Sequence, residues 1–162
     1  MLSRARALLI LSATLLLGLA PATHAQTVTI PEVGAFLPNI VDVKPKAVSA
    51  VDGLWNISSL DKTVRIDRGR VYVIEGWNHL LLFKIKPGMV VITPFEEEAP
   101  GIFTGQDLPL QGPLKATLTG DRILDFTVAG ALGEVRYQMI PQQLDDPDAF
   151  NALIRDVRKA GR

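Results

Sequence analysis

The stretch that decides the fold is DGLWNISSLDKTVRIDRGRVYVIEGWN, residues 52–78. Within it Val64 and Ile66 face one way and Arg65 the other, which is the period of a half-buried strand. Gly69 can adopt a positive φ and turns the chain. The segment RVYV then resumes the alternation with apolar residues on both faces, which is typical of a central strand. We therefore predict a β-hairpin here.

Three later segments repeat this pattern. In HLLLFKIKPGMVVITPF, Pro87-Gly88 predicts a type II turn between two paired strands, because Pro fixes φ and Gly accepts a positive value. In KATLTGDRILDFTVAG, Gly120-Asp121 turns the chain in the same way. The segment EVRYQMI then closes the series, with apolar and polar residues again alternating.

Two segments are predicted to contain no long strand. A strand ending at Pro94 leads into EEEAPG, residues 96–101, which we interpret as a solvated loop. In GIFTGQDLPLQGPL, residues 101–114, Gly and Pro are spaced too closely for long elements. The prediction is therefore an all-β domain over residues 51–141, with about eight short antiparallel strands in an up-and-down barrel or rolled meander. Closure of the barrel would remove exposed edges. A two-sheet sandwich is the alternative.

The period changes to that of a helix in residues 142–162. Asp145 or Asp146 can cap this helix, and Pro147 suits its first turn. One apolar stripe at i, i+3, i+4 and i+7 consists of Phe150, Leu153, Ile154 and Val157. We expect one C-terminal helix packed across a barrel opening. The alternative is a basic, apolar helix that touches a membrane surface or a partner.

Residues 1–25 have the three parts of a secretory signal peptide. Arg4 and Arg6 precede an apolar run at residues 7–19, and Thr23-His24-Ala25 offers a cleavage site. The run is shorter than the roughly 20 residues of a membrane-spanning helix, so we expect no transmembrane span after cleavage near Ala25. An exported chain with no Cys is typical of the bacterial periplasm. We therefore expect a periplasmic or secreted protein.

Residues 26–50 are predicted to be an extended arm. Pro31, Pro38 and Pro45 recur in it, and Pro is excluded from helix interiors and central strands. Its apolar residues indicate that part of the arm lies against a surface. That surface is either its own barrel or a partner protein of the envelope. The alternative is that the arm is a spacer with no partner.

Composition excludes several functions. Without Arg4 and Arg6 the chain has 15 basic and 17 acidic residues, a balance that gives no electrostatic case for nucleic acid. No Cys and a single His after residue 25, His79, make a zinc site improbable, and we expect no metal or cofactor. No Gly-x-Ser-x-Gly is present. Asp107 and Asp125 occupy polar turn or outward strand positions. We therefore expect that the protein is not an enzyme. The alternative is a carboxylate-dependent hydrolase.

The candidate ligand-binding residues are Tyr72, Trp77, Asn78 and His79. Trp77-Asn78-His79 is interpreted as a turn between two apolar strands, where an aromatic ring, an amide and an imidazole meet at the barrel mouth. The leading hypothesis is a non-catalytic binding module for a lipid or small apolar ligand, or for an envelope partner held by the arm. The alternative is a structural or assembly factor with a filled core.

Gly53-Leu54-Trp55 resembles the Gly-x-Trp that opens the first strand of lipocalins. In that family a basic residue after the last strand packs across the Trp, and the resemblance makes Arg136 its counterpart here. The resemblance implies a small up-and-down barrel and nothing about ligands. We assign structural roles to Gly53, Trp55, Gly69, Pro87, Gly88 and Arg136.

Overall fold

A computed structural model describes residues 37–79, 83–107, 112–130 and 133–161. The predicted signal peptide and the first part of the arm lie outside the described residues. The described elements, in chain order, are β1 (Gly53–Ile57), β2 (Lys62–Asp67), β3 (Arg70–Val73), β4 (Trp77–His79), β5 (Phe83–Ile85), β6 (Val90–Ala99), β7 (Ile102–Asp107), β8 (Pro113–Leu118), β9 (Leu124–Gly130), β10 (Gly133–Leu144) and α1 (Pro147–Ala160).

Eight strands form a closed antiparallel barrel in the order β1-β10-β9-β8-β7-β6-β3-β2. Neighbours in the barrel are neighbours in sequence, apart from the closing pair β1–β10 and the pair β3–β6, between which β4 and β5 form a separate hairpin. The predicted up-and-down barrel is therefore confirmed, and the sandwich is not formed.

The antiparallel order gives the barrel two ends. At one end, which we call the helix end, lie the β2–β3, β6–β7 and β8–β9 turns and the start of α1. At the other, the hairpin end, lie the β1–β2 turn and the β4–β5 hairpin. The two ends differ in how they are covered, and this difference positions the candidate site.

Strand alternation fills the barrel interior. In β8, Leu114, Ala116 and Leu118 are buried while the residues between them are exposed. A stack of four aromatic rings continues this core: Phe95 lies 5.1 Å from Phe103 and 5.8 Å from Phe126, and Phe126 lies 4.8 Å from Tyr137 between ring centroids. Most of the interior is thus occupied by the protein's own side chains, as in other small barrels.

Helix α1 covers the helix end. Asp146 caps it by accepting hydrogen bonds from the backbone N–H groups of Asp148 and Ala149. Phe150 is fully buried and meets Trp55 edge to face, with ring centroids 6.0 Å apart. Because this contact belongs to the hydrophobic core, the helix is part of the same folded unit. No helix among the described residues combines the length and apolarity needed to cross a bilayer.

Residues 37–50, the described part of the arm, pack on the chain's own barrel. The N–H of Val90 donates to the carbonyl of Pro38 at 2.8 Å, and the N–H of Lys46 donates to that of Arg68 at 2.8 Å. The guanidinium of buried Arg70 donates to the carbonyls of Val43, at 2.7 Å, and Ile40, at 3.3 Å, and pairs with Asp67. A charged side chain in β3 therefore holds the arm through its backbone.

Both segments predicted to contain no long strand take part in the barrel, and the prediction of a solvated loop at residues 96–101 was wrong. Residues 96–99 continue β6, and residues 102–107 form β7 against it. The register shifts between Ile92 and Phe95, which places Pro94 at an irregularity where no ladder N–H is required. The glutamates that follow are exposed to solvent, so backbone pairing in the barrel overrides their low β-propensity.

The segment around Pro87 differs from its prediction in one respect. The turn forms: Gly88 has φ +82°, and the N–H of Met89 donates to the carbonyl of Lys86 at 3.2 Å. The strands that it joins do not pair with each other, because β5 pairs with β4 while β6 pairs with β3 and β7. Trp77-Asn78-His79 is accordingly a strand, β4, and not the predicted turn. Alternation specifies strands but not their partners.

The assigned structural positions fall as follows. Gly53 has φ +151°, and a Cβ atom there would lie 2.3 Å from the carbonyl oxygen of Gln143, so a side chain would disrupt the β1–β10 closure. Gly69 has φ +76° in the β2–β3 turn. The predicted packing of Arg136 across Trp55 is wrong. Trp55 pairs with Pro141, five residues or roughly 16 Å further along β10.

Candidate functional site

A cavity of about 320 Å³ opens at the hairpin end of the barrel. Its lining residues come from the β1–β2 turn, the β4–β5 hairpin and the adjoining ends of β6, β7 and β10. They are Ile57, Ser59, Leu60, Trp77, His79, Ile85, Val91, Asp107, Val135, Arg136 and Tyr137. The wall is mainly apolar, with a few polar groups, which is the usual make-up of a small-molecule site.

Strand β4 presents two of these polar groups to the cavity. Successive side chains of a strand point to opposite faces, so Trp77 and His79 share a face and both line the cavity. Asn78 lies between them, faces away and is exposed. Ile85, paired with Trp77 across the hairpin, adds an apolar surface beside the indole.

Two nitrogen atoms at the cavity are buried without a hydrogen-bond partner. They are Nε1 of Trp77 and Nε2 of His79, which have almost no accessible surface and form no hydrogen bond with the described residues. Leaving a buried polar group unpaired costs about 1–3 kcal/mol. Native proteins pair the great majority of such groups. Because both residues line the hairpin-end cavity, these two unpaired groups mark its wall as unusual among the described residues.

Burial also sets the protonation state of His79. Desolvation lowers the pKa of its imidazole below the usual value of 6.5, because the charged form loses more hydration than the neutral form. The imidazole is therefore neutral at neutral pH. In that form Nε2 either donates or accepts a hydrogen bond, according to the tautomer.

Tyr137 and Asp107 form the second polar element of the cavity. The hydroxyl of Tyr137 donates to Oδ2 of Asp107 at 3.0 Å, and its ring stacks on Phe126 below. Burial, followed by the charge of Asp107 and the hydrogen bond to it, raises the pKa of Tyr137 well above 10.0. The phenol therefore stays protonated and fixes the carboxylate at the cavity wall.

Arg136 occupies the rim of the cavity. Its side chain is 76% exposed, and Nε donates to Oε1 of Glu134 at 2.7 Å. An exposed, paired guanidinium places little positive potential inside the cavity, since solvent screens it. The positive charge of Arg136 therefore lies at the rim and has little effect inside the cavity.

The four sequence-predicted ligand residues are thus divided. Trp77 and His79 line the cavity; Asn78 and Tyr72 do not. Tyr72 lies in β3, opposite Arg65 of β2 and Val90 of β6. Ligand binding by any of them stays a prediction.

Sequence reasoning missed Asp107 and Tyr137 as site residues. Asp107 was assigned to a polar turn or an outward strand position, but it ends β7 and lines the cavity. Tyr137 was assigned only to one face of the last strand. An inward-facing Tyr needs a partner for its hydroxyl when buried, and that requirement was the available signal.

The described residues contain no group of three or more His, Cys, Asp or Glu side chains that could hold a metal ion. A second cavity of about 370 Å³ lies between residues 46–50 of the arm and β6, near Glu96 and Glu97. It is more polar than the first and contains no buried unpaired nitrogen or oxygen, so the hairpin-end cavity is the candidate site. No family model, curated protein or solved structure matches the chain.

Proposed function

We propose that this protein is an exported, non-catalytic binding module of the bacterial envelope that holds a small apolar ligand in its hairpin-end cavity. The observation that carries the proposal is the cavity itself, whose mainly apolar wall also includes Trp77, His79 and Asp107. A ligand that is mostly apolar and has one polar group would match this wall.

The size of the cavity limits the ligand. Small-molecule sites have volumes of about 300–1,000 Å³, and this cavity, at about 320 Å³, lies at the lower limit. Below it the stacked aromatic rings fill the barrel. The proposed ligand is therefore a compact molecule, or the end of a longer one, bound at the mouth and not along the barrel axis.

The arrangement of polar groups favours binding over catalysis. Ser59, His79 and Asp107 all line the cavity, but Nε2 of His79 forms no hydrogen bond within the described part of the chain, and Asp107 accepts from Tyr137. Nucleophilic catalysis needs a nucleophile held beside its base. Asp107 is also the one carboxylate among the lining residues, whereas a glycosidase uses two.

Location in the envelope is proposed from the sequence of residues 1–25. Export would remove that segment and release a chain beginning near Gln26. Intact-mass measurement of the protein from a periplasmic fraction tests this step, and a mass that still includes residues 1–25 would contradict it.

An assembly role through the arm is a second candidate. The side chains of Val41 and Val48 are 85% and 75% exposed, although backbone carbonyls of the arm are hydrogen-bonded to the barrel. Apolar side chains held outward in this way could contact an envelope protein. Crosslinking from these two positions in intact cells tests the idea, and crosslinks that appear equally at any exposed site would overturn it.

Native mass spectrometry of the protein purified from its own cells tests the binding proposal. Val135→Trp would obstruct the cavity from its rim, because Val135 is half exposed there. Val48→Trp makes the same change far from the cavity. We expect a bound small molecule on the wild type and on Val48→Trp but not on Val135→Trp. A bare wild-type mass, or retention by Val135→Trp, would contradict the proposal.

A further inference from the structure

We infer, resting on the proposed binding function, that the ligand is an amphiphile with one hydrocarbon chain, which enters the hairpin-end cavity by its methyl end. Leu60 and Val135 contact the part of the chain that emerges at the mouth, and the polar head stays in solvent outside. The inference narrows an apolar ligand to the chain of a single-chain amphiphile and names the two side chains that select for it.

Val135 faces the barrel interior although it is 41% exposed. It pairs with Val128 of β9, which is fully buried, and residues directly opposite each other in an antiparallel pair lie on the same face. The exposed surface of Val135 therefore lies on the cavity side of β10, where the residue lines the mouth. Because this surface is accessible, a ligand in the cavity can contact it.

Leu60 provides a second apolar side chain at the mouth, from the β1–β2 turn. Its N–H donates to the carbonyl of Ile57 at 3.1 Å, and the N–H of Asp61 donates to the same carbonyl at 2.9 Å, so the turn holds Leu60 at the cavity. Leu is an unusual turn residue, since Gly, Pro, Asn, Asp and Ser dominate turns. Its side chain is 44% exposed, and a ligand that covers it gains hydrophobic free energy.

The cavity is closed at its floor and open at its mouth. Tyr137 lines it and stacks on Phe126, and Phe126 stacks in turn on Phe95 deeper in the barrel. A chain that fills the cavity of about 320 Å³ can therefore lengthen only outward. Its next methylene groups lie against Leu60 and Val135, and each methylene buried there raises the affinity about fourfold.

The polarity of the surface changes just outside this mouth. Val135 is flanked in β10 by Glu134 and Arg136, whose side chains pair with each other and are exposed to solvent. From the inside outward, the ligand therefore meets an apolar wall, an apolar rim and a charged exterior. This order matches a hydrocarbon chain followed by a polar head.

Three probes test which end of the ligand enters: n-octanol, n-octyl maltoside below its micelle concentration, and maltose, each titrated into the full protein by calorimetry. The disaccharide head is too polar and bulky to follow the chain into a mainly apolar cavity. We expect n-octyl maltoside to bind within about threefold of n-octanol, because both bury the same chain, and maltose not to bind.

The outcomes separate the inference from the proposed function. A difference of about tenfold or more between n-octanol and n-octyl maltoside, in either direction, would overturn the inference while leaving a binding function in place. Binding of maltose alone would do the same. If none of the three probes binds, both the inference and the proposed function are contradicted.

Variants at the rim assign the contact to residues. Leu60→Ser and Val135→Ser each remove an accessible apolar side chain, and each is expected to weaken n-octyl maltoside binding about threefold to tenfold. Ile140→Ser is the matched control, because Ile140 is 43% exposed but lies on the outer face of β10, opposite Asn56. All three positions are partly exposed, so the variants should fold as the wild type does, which thermal unfolding checks. Unchanged binding by both rim variants, or an equal loss in Ile140→Ser, would overturn the inference.

Discussion

The hydroxyl of Tyr137 reaches Oδ2 of Asp107 at 3.0 Å and links strands β10 and β7 across the hairpin end of the barrel. Strands β9 and β8 separate these two in the sheet order, so the bond crosses the barrel mouth instead of following the sheet. It holds a carboxylate and a phenol at the wall of the candidate site.

Tyr137→Phe should therefore destabilise the fold. The change keeps the ring that stacks on Phe126 and removes a hydrogen bond to a charged group, which is worth about 1.5–3 kcal/mol. Denaturant unfolding would measure the loss, with Tyr72→Phe as the matched control. A Tyr137→Phe variant as stable as the control would show that the bond contributes nothing.

Tyr137 should also resist ionisation in alkaline solution. Its folded-state pKa lies above the usual value of 10.0, so this group's contribution to stability is complete below about pH 10 and is lost as the pH rises through the raised pKa. In Tyr72→Phe it is the only tyrosine. We expect tyrosinate absorbance to appear only when circular dichroism shows unfolding. Full ionisation near pH 10 in a folded protein would contradict the assignment.

Arg70→Met should loosen the arm. Arg70 is 6% exposed and donates to two arm carbonyls, and removing one partner of a buried ionic group costs about 3 kcal/mol. Arg65→Met is the control, because Arg65 pairs with Asp145 on a partly exposed surface, where such pairs are worth up to about 1 kcal/mol. Hydrogen exchange in residues 37–50 should rise only in Arg70→Met. Equal exchange in both variants would show that Arg70 does not hold the arm.

Asp67, the acidic partner of Arg70, gives this contact a pH dependence. Burial raises the pKa of its carboxyl, but hydrogen bonds from Arg68 and Arg70 outweigh that effect and lower the pKa below 3.8. The stability from this group is therefore present above about pH 4 and lost as the pH falls through the lowered pKa. In Asp67→Asn, the free energy of unfolding should fall less steeply between pH 4 and lower pH than it does in the wild type. An equally steep fall in the variant would show that Asp67 does not cause this pH dependence.

Phe150→Ala tests whether α1 belongs to the core. Phe150 is fully buried against Trp55, and truncating a buried Phe costs about 3–5 kcal/mol. Arg155→Ala on the exposed face should cost little. If Phe150→Ala has the same denaturant midpoint of unfolding as the wild type, the helix does not contribute to the stability of the core.

Much of the fold could be predicted from local pattern. The strand at Val64 and Ile66 follows from the alternation of apolar and polar residues, and the helix start follows from the cap at Asp146. Each of these features depends only on residues that are close together in the sequence. The pairing of β5 with β4 could not be predicted in this way, because a β-strand pattern does not name its neighbour. Strand β6 running on through Glu98 depends on β7 lying beside it, which is also a tertiary effect.

The candidate site was only half predictable. Trp77 and His79 attracted attention as rare residue types close together, and the period of a strand then places both on one face. Asp107 and Tyr137 are 30 residues apart in sequence and meet only because the barrel closes. No local signal joins them.

We expect the hairpin-end cavity to bind its ligand against Trp77. The chain has two Trp residues, so a ¹⁵N-labelled sample gives two indole N–H signals, and Trp55 already donates to the carbonyl of Val51 at 2.9 Å at the other end of the barrel. On titration with n-octanol, an apolar molecule with one polar end, the Trp77 signal should shift to saturation while that of Trp55 stays in place. Two static signals, or a larger shift at Trp55, would contradict the claim.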